Sequence, residues 1–149
     1  MSFAHGARGY ARVAVETGVA ASDPHALVAM LYDGAIAAVN GAQGHLAAGR
    51  VSEKCAAIAR ATRIVDEGLK AGVDRAAGGA LAERLIQLYD YMVMRLLQAN
   101  LRNDAEALAE VARLLGELRS AWQQIGRPAA AAAPTPYSAS IAARVAVAA

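Results

Sequence analysis

At 149 residues the chain has the length of one domain and can bury a core without disulfides or a structural metal. Its 15 basic and 13 acidic residues leave a net charge of +2; residues 127–149 carry two of the arginines and no acid, so residues 1–126 balance at 13 of each sign. The basic residues are scattered singly, which argues against a nucleic-acid partner, and the single Cys55 rules out an internal disulfide and a cysteine-built zinc site.

Hydrophobic residues make up 56% of the chain, much of it alanine, and aromatics only 5%. That composition predicts an all-α protein, because alanine is the strongest helix former and lets helices approach closely. Residues 1–21 read as an N-terminal arm containing Tyr10 and no sustained periodicity. Ser22-Asp23-Pro24 is a strong helix start: either polar residue can cap, and proline suits the first turn. The first helix is expected to run to about Ala48, with Leu27, Leu31, Ala35, Ala38, Ala42 and Leu46 on one stripe and Gly49 ending it. Ser52 is expected to cap the second helix, whose apolar face includes Cys55, Ile58, Thr62, Val65 and Leu69. Cys55 itself reads as a small buried or half-buried hydrophobe.

The third helix is expected at about 79–101, after the Gly78-Gly79 pair. Leu81, Leu85, Leu88, Met92 and Ala99 form one stripe, and Ile86, Tyr89, Val93 and Leu97 a neighbouring one. Two adjacent apolar stripes predict contacts on more than one side. Asn103 or Asp104 caps a fourth helix carrying Leu108, Val111, Leu115, Leu118, Trp122 and Ile125 at helical spacing, stopped by Gly126 and Pro128. Trp122 is assigned to the core. Residues 127–149 read as a flexible, disordered Ala/Pro-rich tail, with docking of Ile141 to Val147 as the alternative. Four helices over 22–126 with short connections predict an antiparallel up-down four-helix bundle.

Chemistry is hard to find. No Glu is followed three residues later by His, and His5, His25 and His45 form no helical pair, so di-iron and other metal sites lack ligands. No phosphate-cradling loop, haem motif or nucleophile elbow is present. Asp33 and Asp90 invite an acid–base reading, but interhelical hydrogen bonds are the commoner use of such residues. No cofactor and no catalysis are expected. His25 reads as a solvated first-turn residue, with a polar contact to the arm or a partner as the alternative. No apolar run approaches the roughly 20 residues of a membrane span, and Met1-Ser2-Phe3-Ala4-His5 lacks the pattern of a secretory signal. A soluble, cytoplasmic protein without membrane insertion is the expectation.

Two near-copies of one tetrapeptide remain: Leu31-Tyr32-Asp33-Gly34 and Leu88-Tyr89-Asp90-Tyr91. An aspartate inside an apolar helix is costly unless paired. Tyr89 and Tyr91 lie about 200° apart on a helix and face different environments. Tyrosine suits both a core edge and an interface, so Tyr32 and Tyr89 remain open between the two. Asn100, near the end of the same helix, can cap its last turn or contact a partner.

The run Tyr10, Val15-Glu16-Thr17, Ser22-Asp23-Pro24-His25-Ala26-Leu27, Met30-Leu31-Tyr32-Asp33-Gly34-Ala35 resembles the flagellar secretion chaperone family FliS. The likeness continues through Leu88-Tyr89-Asp90-Tyr91-Met92, Arg95-Leu96, Ala99-Asn100-Leu101, Leu114-Leu115 and Ala121-Trp122, covering roughly residues 10–125 in order. Asp23 stands where the family often has serine, and both cap helices. The resemblance implies a cytoplasmic chaperone that binds the disordered C-terminal segment of flagellin and delivers it to the flagellar export gate components; the alternative is a helical adaptor that binds another secretion or regulatory protein through the same groove. It implies Tyr10, Tyr32, Asp33, Tyr89, Tyr91 and Asn100 as partner-binding positions, with the arm covering the groove when flagellin is absent. Whether the free chaperone forms a homodimer is left open, and the tail matches nothing in the family.

Overall fold

A computed structural model describes residues 23–126. The expected arm at 1–21, with Tyr10, and the expected tail at 127–149 lie outside the described residues. The described chain is all-α: α1, Pro24–Ala47; α2, Val51–Arg63, continued by the π-helical turns Ile64–Lys70; α3, Arg75–Arg102; and α4, Ala105–Ile125.

Capping chemistry sets these limits. Asp23 accepts the His25 amide at 3.0 Å, with Pro24 in the first turn. At the other end Arg50 N–H reaches back to the His45 carbonyl and Gly49 takes φ +73°, a conformation glycine adopts without a Cβ penalty. That turn leads straight into α2, so Ser52 does not cap it. The N-cap is Arg50, whose side chain makes no capping bond. Asp74 caps α3 through the amides of Ala76 and Ala77, which starts the helix four residues before the expected position. Gly79, at φ 54° and ψ −131°, then breaks it, so the long uninterrupted run does begin where its pattern does. Asn103 supplies the left-handed residue that ends α3 (φ 53°), and Asp104 caps α4 through the Ala107 amide.

The side-chain bridges give the helix directions. His25 meets Trp122 and Asp33 meets Arg119, so α1 and α4 run antiparallel. Lys54 meets Asn100 and Lys70 meets Asp90, so α2 and α3 do too. The short turn at residues 48–50 makes α1 and α2 antiparallel, and that at 103–104 does the same for α3 and α4. The order around the bundle is α1, α2, α3, α4, an up-down-up-down arrangement that places α1 and α3 on a diagonal.

The core is the expected one in most positions. Leu27, Leu31, Ala35, Ala38 and Ala42 of α1, Ile58, Val65 and Leu69 of α2, Leu85, Met92 and Ala99 of α3, and Leu108, Val111, Leu115 and Trp122 of α4 are buried. Alanines at the α1–α2 seam let the backbones close in. Two leucines assigned to the third helix's apolar stripes, Leu81 and Leu97, are instead more than half exposed. Among the described residues no helix is long and apolar enough to cross a membrane.

Candidate partner-binding face

The two Leu-Tyr-Asp motifs meet inside the bundle. Tyr32 and Tyr89, both buried, bring their hydroxyls to 2.6 Å across the α1–α3 diagonal. Neighbouring axes 8–10 Å apart give a diagonal of roughly 11–14 Å. Aliphatic side chains meet poorly across that distance, whereas two tyrosines span it and each satisfies the other's buried hydroxyl. The aspartates turn outward. Asp33 pairs with Arg119 of α4, and Asp90 with Lys70 at 2.6 Å. Both carboxylates are about half exposed, so neither carries the burial cost anticipated from the sequence. Asp33 and Asp90 serve opposite seams and do not form a pair.

Tyr91, on the outer side of α3, donates to Glu110 at 2.7 Å, and Arg95 donates to the same oxygen at 2.7 Å. Arg95 also approaches Asp104. The Tyr91 bond, followed by that of Arg95, holds the Glu110 carboxyl below its ordinary pKa, and the Glu110 bond pushes the Tyr91 phenol up. This network fixes the α3–α4 seam.

Asn100 is a junction. Its side-chain oxygen accepts from the Cys55 thiol at 3.2 Å, and its backbone carbonyl accepts from Lys54 Nζ at 3.1 Å. Lys54, only 2% exposed, also donates to Asn103 at 2.5 Å. The ammonium thus sits on the last carbonyls of α3, where the helix dipole favours a cation. No sequence pattern marked Lys54, because a lysine in a first helical turn ordinarily reaches water.

His25 is half-buried and turned toward α4, not a freely solvated residue. Its ring stacks on Trp122 with centroids 4.6 Å apart, its Nε2 lies 2.9 Å from the Trp122 carbonyl, and the Trp122 indole donates to the His25 carbonyl at 2.9 Å. This reciprocal clasp joins the start of α1 to the end of α4.

The outer side of α3 also carries an exposed apolar strip. Met94, Leu97 and Leu101 are 52%, 56% and 74% exposed, and their spacing puts them within about 60° of arc on α3. Tyr91 borders this strip one turn earlier. Methionine and leucine are the residues an amphipathic helix packs against. Of the three, only Leu97 belongs to the apolar stripes read in the sequence; Met94 and Leu101 lie outside both. Among the described residues no group of three His, Cys, Asp or Glu is placed to hold a metal.

The chain is similar to known proteins over most of its length. The family model described as Flagellar protein FliS matches residues 6–129. A flagellar secretion chaperone FliS of Salmonella typhimurium is 50% identical over 125 residues, 84% of this chain and 93% of that protein. The Escherichia coli FliS is 37% identical over 124 residues, 83% and 91% of the two chains. A Pseudomonas aeruginosa flagellar secretion chaperone, FliSB, is 37% identical over 116 residues, 78% and 91%.

Proposed function

We propose that this chain, which belongs to the flagellar protein FliS family, is a cytoplasmic export chaperone for flagellin. It binds the disordered C-terminal segment of flagellin, prevents premature polymerisation and delivers the subunit to the flagellar type III export apparatus. The family is one of chaperones, not of enzymes.

The observation that best supports this reading is the exposed Met94–Leu97–Leu101 strip on an otherwise well-satisfied bundle. A disordered client segment with an amphipathic pattern orders when it lays its apolar side on such a strip. Each leucine fully covered contributes about 1.5–3 kcal/mol, from which the client's ordering cost of about 2–5 kcal/mol is subtracted. A large interface is therefore expected, with the strip as its apolar centre. Tyr32 and Tyr89 support it from within, since they hold α1 and α3 in place. Tyr91 and Asn100 lie nearer the surface and act on α3, the helix that carries the strip.

Titration calorimetry with a peptide of the flagellin C-terminal region tests this. Binding with a negative heat-capacity change is expected. Leu97→Glu should weaken it at least tenfold, about 1.4 kcal/mol, while leaving the unfolding midpoint in place. No binding by the parent chain at tens of micromolar refutes the reading.

A further inference from the structure

A second surface lies away from the α3 strip. α1 and α2 enclose a groove of about 420 Å³ lined by Ala37, Ala38, Gly41, Ala56 and Ala57, with His45, Glu53 and Arg60 at its rim. Small side chains make it concave, and branched apolar residues fill such a hollow well. Glu53 carries a carboxylate for which no salt bridge or hydrogen bond is found among the described residues.

We propose that this groove is a docking site for the chain's own residues 141–147, Ile-Ala-Ala-Arg-Val-Ala-Val. Four observations converge on that occupant. First, the match to the family ends at residue 129, so the segment belongs to an extension this chain has in addition to the shared bundle. Second, charge: beyond Arg127 the extension holds one ionised side chain, Arg144, and no acid, which complements the free Glu53. Third, size: Ala37 to His45 spans about 12 Å of helix, and seven residues coiled as a helix span about 10 Å. In that form Ile141 and Val145 share one side with Arg144 beside them.

The fourth observation is reach. Gly126 lies beside His25 at the start of α1, and Gly41 is sixteen residues further, about 24 Å along the axis. Crossing two interaxial spacings adds at most roughly 20 Å sideways. Residues 127–140, with Pro128, Pro134 and Pro136, cover about 43 Å at about 3.1 Å per residue. The segment therefore arrives with slack.

Backbone amide NMR on the full chain and on a variant ending at Ala129 tests the proposal. Removing the tail should shift the Ala38, Gly41, Ala56 and Ala57 amides, independently of protein concentration. Glu53→Arg should reproduce the tail-less positions, and adding Arg144→Glu to it should restore the parent ones. Three results overturn the proposal. One is unchanged groove amides on truncation. Another is shifts confined to the Met94–Leu97–Leu101 strip. The third is shifts that grow with concentration, which places the tail of a second copy there. None of these readouts involves flagellin, so failure here leaves the client-binding reading standing.

Discussion

The Tyr32–Tyr89 contact makes a prediction with a definite size. Tyr89→Phe removes one hydroxyl and leaves the ring, so no cavity opens and the loss is that of the hydrogen bond. A buried hydrogen bond at 2.6 Å contributes about 1 kcal/mol net. In a domain of about 100 residues that lowers the melting temperature by roughly 4–8 °C. Tyr32→Phe should cost about the same, and the double variant clearly less than the sum, because each single change removes the same bond. The expected coupling is about 0.5–1.5 kcal/mol. Urea unfolding followed by circular dichroism measures all four proteins. Single costs that simply add, to within about 0.3 kcal/mol, show that the hydroxyls do not interact and refute the diagonal clamp. The same variants separate the two uses of these tyrosines: as core residues they should leave flagellin-peptide affinity nearly unchanged, whereas Leu97→Glu should do the reverse. A Tyr89→Phe protein of normal stability and lost affinity contradicts the burial described here.

Acid stability should depend on Glu110. Its folded pKa lies below the ordinary value of 4.5, so its contribution is present above that value and is lost as pH falls through the folded pKa. Glu110→Gln should flatten that part of an unfolding-versus-pH curve, and an unchanged acid limb counts against the Tyr91–Glu110–Arg95 network. Gly126→Ala puts a Cβ into the His25 ring, which is held by its stack and by the bond between its Nε2 and the Trp122 carbonyl. A loss of about 1–2 kcal/mol in urea unfolding is expected, and His25→Ala made in the same background should suffer no further clash; equal effects of Gly126→Ala in both backgrounds refute the contact.

Much of this fold is written in local signals. Asp23-Pro24, Gly49, Asn103-Asp104 and Gly126 each act through backbone chemistry within four residues, so their helix limits can be read without knowing the partners. Ser52 misled because the tight turn at Gly49 starts α2 two residues earlier than a Ser52 cap would, so that Ser52 lies inside the first turn and Arg50 is the N-cap. The π-helical turns at Ile64–Lys70 left no periodic mark, since their apolar residues fit an α-helical stripe equally well. The candidate site was harder. The resemblance pointed to Tyr32, Asp33, Tyr89, Tyr91 and Asn100, but whether a side chain faces core, seam or solvent depends on where the diagonal helix lies. Leu97 and Tyr89 are both apolar positions of one helix; only packing against α1 and α4 makes one of them interior. Lys54 went unmarked and His25 was misread for a related reason, because their partners lie 46 and 97 positions away.

The His25–Trp122 clasp also has a mechanical meaning. An even number of antiparallel helices brings the first residue of α1 and the last of α4 to one pole. Tension applied at the two ends therefore peels neighbouring helices apart and does not slide them past each other. The load falls first on one ring stack and two 2.9 Å hydrogen bonds, and the turns at the far pole stay slack until the α1–α4 seam has opened. The bundle is a zipper with its slider at the termini: closed along its length by the core, compliant to a pull through its ends.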